Sequence, residues 1–151
     1  EMVHKLDLSK YKVSDKPMDE ILDTLISLLE NLKCLNSRNM LKTDVAVVFT
    51  KCDIPGLEEK IGETAVRKNI ASRYDVINQL CEDFLKEYEE ENFLNGIKSK
   101  FKSVQFFACS ALGHLPNGMK FAPEGVDEPL LWLIDKVSPA INLKDKWGRK
   151  I

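Results

Sequence analysis

Apolar positions recur at helical spacing in several stretches of this chain and run together in two. Met18, Ile21, Leu22, Leu25, Leu29 and Leu32 lie three or four residues apart and predict an amphipathic helix from Pro17 to about Lys33. Ser14 and Asp15, just ahead of Pro17, suit its cap and first turn. The stripe is expected to lie on a sheet. After a polar connector from Leu35 to Thr43 comes the apolar run Val45-Ala46-Val47-Val48-Phe49, and later Val104-Gln105-Phe106-Phe107-Ala108-Cys109. Both are short, rich in β-branched and aromatic residues and stopped by polar or turn-forming residues, so both are expected to be buried strands of a parallel sheet.

Roughly 50 residues separate the two runs, although about a dozen suffice for a parallel crossover. The crossover therefore carries structure of its own. Gly56 to Ala65 reads as a turn and a short helix. Ile70 to Tyr88 reads as a long helix with Ile77, Leu80, Cys81, Phe84 and Tyr88 on one face, and a further helical stretch carries Phe93, Leu94, Ile97 and Phe101. Beyond the second strand, residues 113–125 form a loop rich in Gly and Pro, with a turn signal at Asn117-Gly118. Asp127 and Pro129 then open a last helix, with Leu130, Leu133, Ile134 and Val137 as its apolar residues, ending before Pro139.

This pattern divides the chain into a polar extension over 1–16, an α/β body over 17–138 with a helical insertion at about 56–101, and a tail over 139–151. With 151 residues and 44% hydrophobic residues, one domain with a real core is expected. A formal charge of −2 gives no basic field for nucleic acid or an anionic membrane. Lysines cluster at 98, 100 and 102 and again near the end of the chain, as solvated faces do. Cys34, Cys52, Cys81 and Cys109 are widely spaced, with no zinc-ligand pattern, which favours a reduced, cytoplasmic setting. No apolar run approaches the length of a membrane span. The chain opens on Glu1 instead of methionine, an indication of a longer protein.

Ligands of open α/β sheets sit beyond the carboxyl ends of the strands. There this sequence places Thr50-Lys51-Cys52-Asp53 and Ser110-Ala111-Leu112. Guanine offers an N1–H and an exocyclic amine side by side, and the Asp53 carboxylate can accept from both in bidentate geometry. Adenine, with an acceptor at N1, leaves that carboxylate unpaired, an outcome that is costly when buried. The aliphatic stem of Lys51 can lie along the base plane with its ammonium in solvent. The Ala111 N–H can donate to the guanine oxygen at position 6, and the small side chains of Ser110 and Ala111 permit that approach.

Thr50-Lys51-Cys52-Asp53 after a buried strand resembles the Asn/Thr-Lys-x-Asp motif of the Ras-like, translation-factor-related P-loop GTPases, and Ser110-Ala111-Leu112 resembles their later Ser-Ala-Lys/Leu motif. The stretch from Phe106 to Ile134 is also similar to the bacterial double-GTPase proteins of conflict systems. The resemblance runs from about Pro17 to Val137 and matches only the later half of such a domain. It implies a partial P-loop GTPase-like three-layer fold with parallel strands and an enlarged helical crossover. It further implies guanine contacts from Thr50, Lys51, Asp53, Ser110, Ala111 and Leu112, with GTP or GDP as ligand.

The departures are equally definite. None of the seven glycines is followed by lysine, so there is no Gly-x-x-x-x-Gly-Lys-Ser/Thr phosphate loop, and no Asp-x-x-Gly switch precedes Thr50. Hydrolysis and Mg2+ binding are thus expected only with upstream segments outside this chain, and no catalytic or metal-binding residue is assigned to it. Thr50 stands where the family commonly has Asn, which puts the bracing of the base loop to the phosphate loop in doubt. The alternative is a non-catalytic, GTPase-derived interaction module whose partner surface is the long crossover helices. Ser110 with His114 does not make a nucleophile elbow, because Ala108 and Leu112 flank it where glycine-like residues are needed. Cysteine beside a buried strand usually packs.

Overall fold

The two apolar runs pair side by side, as expected. A computed structural model describes residues 17–32, 40–69, 72–113 and 121–138. In it β1 (Leu41–Phe49) and β2 (Phe101–Ala108) form a parallel sheet with Val45 opposite Val104, Val47 opposite Phe106 and Phe49 opposite Ala108. Both strands begin earlier than the apolar runs suggest. Asp44 pairs with Ser103, whose hydroxyl donates to its carboxylate, and the register shifts between Leu41 and Asp44. Among the described residues there are six helices: α1 (Met18–Asn31), α2 (Glu58–Ile61), α3 (Glu63–Arg67), α4 (Arg73–Glu87), α5 (Glu91–Lys100) and α6 (Glu128–Val137). The chain is therefore mixed α/β, with the crossover between its strands built from four helices. The expected Asn117-Gly118 turn and the tail beyond Ser138 lie outside the described residues.

Parallel pairing puts alternate residues on opposite faces of the sheet. Val45, Val47, Phe49, Val104 and Phe106 face a core shared with Ile77, Cys81 and Leu85 of α4 and Phe93, Leu94 and Ile97 of α5. On α6 the buried apolar residue is Trp132, whose ring meets Phe107 edge-on at 6.0 Å. The expected α6 stripe is thus displaced: Leu130 and Val137 are exposed, and Trp132 takes the inward position. α4 also closes the outer edge of β2. The Phe106 N–H donates to Asn78 Oδ1 at 3.0 Å, and the Gln105 side chain donates to the Tyr74 carbonyl at 2.9 Å.

α1 departs from expectation in what it covers. Leu22 and Ile26 are buried, but the helix packs chiefly on α5, where Leu22 lies so close to Gly96 that a Cβ there would meet its Cδ2 at 3.2 Å. Ile21, Leu25, Leu28 and Leu32 remain exposed. A stripe wider than the surface offered to it leaves its outer half in water. None of the helices among the described residues is long and apolar enough to cross a membrane.

A buried ion triad locks the insertion to the end of the chain. Arg73, the first residue of α4, contacts Glu63 of α3 at 2.8 Å and Glu128 of α6 at 2.7 Å, and all three side chains are almost fully buried. Burial alone would raise the Glu63 carboxyl, but hydrogen bonds and charge from Arg67 and Arg73 outweigh it and hold the group below the ordinary carboxylate range. Removing the cation takes a close counter-charge from both buried carboxylates and leaves Glu63 paired with the exposed Arg67. Arg73→Met is expected to lower the unfolding free energy by about 3–5 kcal/mol in urea titrations. The lowered Glu63 pKa stabilises the fold above the unfolded-chain value near 4.5, and this contribution is lost as pH falls through the folded value. Melting curves from pH 6 downward are expected to show a shallower loss of stability in Glu63→Gln than in the wild-type chain.

Candidate functional site

The β1–β2 ladder does not stop where the strands end. The Cys109 N–H donates to the Phe49 carbonyl at 2.8 Å, and the Cys109 carbonyl accepts from the Cys52 N–H at 3.1 Å. These two bonds carry the pairing into the motifs and stitch Thr50-Lys51-Cys52-Asp53 to Cys109-Ser110. Between them the first motif turns sharply. Lys51 adopts φ 60°, the left-handed region that costs an L-residue about 1–2 kcal/mol. The turn is held by an Ile54 N–H to Lys51 carbonyl bond of 3.2 Å and by the buried Cys52, whose thiol donates to the Phe49 carbonyl. Inward Cys52 therefore leaves Thr50 and Lys51 exposed and Asp53 half-buried.

Ser110 is 2% exposed and fully engaged. Its hydroxyl donates to Asp53 Oδ1 at 2.5 Å and accepts from the Gly113 N–H at 2.8 Å. Its backbone exchanges two 2.9 Å bonds with Glu124. A third bond, from the Ala122 N–H to the Leu112 carbonyl at 3.0 Å, completes a short antiparallel pairing of Ser110–Leu112 with Ala122–Glu124. Two glycines allow it. Gly113 (φ 77°) brings its α-carbon so near Ala122 that a Cβ would lie 1.7 Å from the carbonyl oxygen, and Gly125 (φ 65°) approaches the Ala108 carbonyl in the same way, at 2.6 Å.

The six sequence-selected residues are thus placed at the carboxyl ends of adjacent parallel strands. Asp53 and Ser110 are in direct contact; Thr50, Lys51, Ala111 and Leu112 stand exposed around them. Among the described residues nothing accepts from the Ala111 N–H, and Asp53 Oδ2 has no hydrogen-bond partner. A carboxylate and the backbone amide of an exposed residue can together meet a ligand edge that carries both donors and an acceptor. The burial of Ser110, not its bond to Asp53, argues against a nucleophilic role. His114, its suggested partner, lies outside the described residues.

Two hollows adjoin this arrangement. Behind Ser110 is a crevice of about 10 Å3 bounded by Cys52, Glu58, Glu63, Arg73 and Glu124, room for a single water and none for a base. At Ala111 a larger recess of about 450 Å3 opens, lined by Ala111, Phe121, Pro123, Val126 and Asp127. Sequence reasoning missed Phe121 and the pairing with Ala122–Glu124, treating the whole stretch as loop. It missed Arg73, Glu63 and Glu128 as well, whose separation in sequence carries no signal.

Burial pushes the Cys52 thiol up to about 12, with neighbouring carboxylates adding to the effect. Burial, then the charge of Glu128, raises Cys109 too, and Cys81 is raised by burial. A thiol, unlike a thiolate, is a poor nucleophile. Iodoacetamide at pH 8 is therefore expected to modify Cys52 and Cys81 slowly in the folded chain and rapidly in urea, as followed by peptide mass spectrometry.

No protein-family model matches this chain, and no curated protein or solved structure is significantly similar to it.

Proposed function

We propose that Thr50–Asp53 and Ser110–Leu112 form the base-reading end of a guanine-nucleotide site. The observation that carries this reading is the 2.5 Å hydrogen bond from Ser110 to Asp53, which joins two motifs 57 residues apart and orients the carboxylate. With Oδ1 held by the serine and Oδ2 open, Asp53 accepts from N1–H and the exocyclic amine, each oxygen having a second lone pair to offer. The Ala111 N–H donates to the oxygen at position 6. Lys51 lays its stem on the ring, and the left-handed turn at its α-carbon is the strain accepted for that placement.

Base recognition is one part of a nucleotide's binding energy. GTP hydrolysis and Mg2+ belong to a phosphate loop and switches that this sequence does not contain, and no step of hydrolysis is assigned to its residues. Affinity for the base alone is accordingly weak. A second reading, a non-catalytic interaction module, is favoured by the exposed Ile21, Leu25 and Leu28 of α1 and Leu32 just past its end, a surface other than the crossover helices.

Amide NMR titration with millimolar nucleotide tests the first reading. GDP is expected to shift the resonances of Asp53 and Ala111 with an affinity at least tenfold above that of ADP, the scale of one charge-assisted hydrogen bond. Equal affinity for the two would overturn the proposal. Asp53→Asn is expected to shift preference toward xanthosine diphosphate, whose oxygen at position 2 suits an amide donor. An unchanged order of preference would show that Asp53 does not read the base.

A further inference from the structure

Glu63 and Glu128 each stand on the chain that leaves one of the two motifs, and Arg73 holds both. We infer that Arg73 is a positioning residue for the pair: its guanidinium clasps the two outgoing chains behind Ser110 and so sets the spacing between the Lys51–Asp53 turn and Ser110–Ala111. Its consequence for a ligand rests on the base-reading proposal above, which it extends to a residue outside both motifs.

The first outgoing chain is rigid from Asp53 to Glu63. The Leu57 and Glu58 N–H groups donate to the Ile54 carbonyl at 2.9 and 3.0 Å, while the Ile54 N–H is itself bonded to the Lys51 carbonyl. The Gly62 N–H donates to the Glu58 carbonyl at 3.1 Å, and the Glu58 carboxylate accepts from the Thr64 N–H at 2.9 Å. Gly62 runs so close to this turn that a Cβ would lie 2.7 Å from the Glu58 α-carbon. Glu63, between Gly62 and Thr64, is therefore tied to Lys51 by a continuous series of short bonds.

The second chain is held in a comparable way. Ser110 exchanges two 2.9 Å backbone bonds with Glu124, Gly125 closes on the Ala108 carbonyl, and Glu128 follows as the first residue of α6.

Arg73 joins the two ends. Its Nη1 lies 2.8 Å from Glu63 and its Nε 2.7 Å from Glu128, so one planar group fixes two carboxylates at a set distance and angle. The Arg73 side chain is 8% exposed, and Tyr74 and Asn78 of the same helix bond β2, which refers the guanidinium to the sheet. Arg73 also shares the walls of the crevice of about 10 Å3 with Cys52 and Ser110, one residue from each motif. A lysine would keep the charge, but its ammonium is a point without the planar fork. Charge and positioning are thus separable by one substitution.

Amide hydrogen exchange of the full chain without nucleotide, followed by NMR, tests the clasp in the wild type, Arg73→Lys and Glu128→Gln. The Cys52, Ser110 and Glu124 N–H groups carry the bonds between and beside the motifs, and Ile97, buried within α5, reports on the body of the fold. Arg73→Lys is expected to speed exchange at the three motif amides about tenfold more than at Ile97, the scale of one charge-assisted hydrogen bond. Glu128→Gln keeps the side-chain shape and weakens one arm, and is expected to loosen Ser110 and Glu124 more than Cys52. Equal acceleration at all four amides, or none at the motif amides, overturns the proposal, since Arg73 then does no more than stabilise. If Arg73→Lys does not fold, Glu128→Gln decides by the same comparison.

Titration of the same chains with GDP and ADP separates this proposal from the one it rests on. Arg73→Lys is expected to lose most of the preference for GDP. A preference left unchanged while the motif amides exchange faster overturns the positioning role and leaves the reading by Asp53 intact. Absence of any guanine preference in the wild-type chain overturns the base reading, and the exchange rates then decide the clasp by themselves.

Discussion

Parallel pairing of β1 with β2, and its continuation through Cys109, is the constraint from which the arrangement of this molecule follows. A parallel pair ends with both chains leaving the sheet at the same side. When the ladder continues by two more bonds, from Cys109 to Phe49 and from Cys52 to Cys109, the exits themselves become rigid. Asp53 and Ser110 then have one distance available to them, and the serine hydroxyl closes it. Antiparallel pairing of the same strands would place the two motifs at opposite ends of the sheet.

The helices serve this pairing from two directions. α4 and α5 bury one face and α4 also occupies the outer edge of β2, where Asn78 and Gln105 make the side-chain bonds that a further strand would otherwise make through its backbone. α6 meets the other face through Trp132 and returns Glu128 to Arg73. The insertion is thereby fastened to the sheet at the end where the motifs emerge. A long crossover is tolerated because its first turns are pinned by charge and its later turns by packing.

Much of this organisation was legible in the sequence. Unbroken apolar runs marked both strands, although the run Val45–Phe49 of β1 is only partly buried and Val48 is exposed, and Asp127 with Pro129 marked the start of α6. Three- and four-residue spacing marked α1, α4 and α5. Spacing did not say which part of a stripe would be covered. On α1 the stripe is wider than α5, and on α6 the indole of Trp132 displaced the expected leucines, since periodicity ranks positions by angle and not by the size of the neighbour that must be filled. The candidate residues were legible because each motif is contiguous. The partners that hold them were not: Gly113 with Ala122, Gly125 with Ala108, and the Glu63–Arg73–Glu128 triad depend on chain segments meeting in space, and no local pattern encodes those meetings.

The crevice behind Ser110 also selects by charge. Glu58, Glu63 and Glu124 border it beside the guanidinium of Arg73, and Arg67 pairs with Glu63. The crevice is therefore an electrostatic filter: it suits a water or a neutral donor and disfavours an anion.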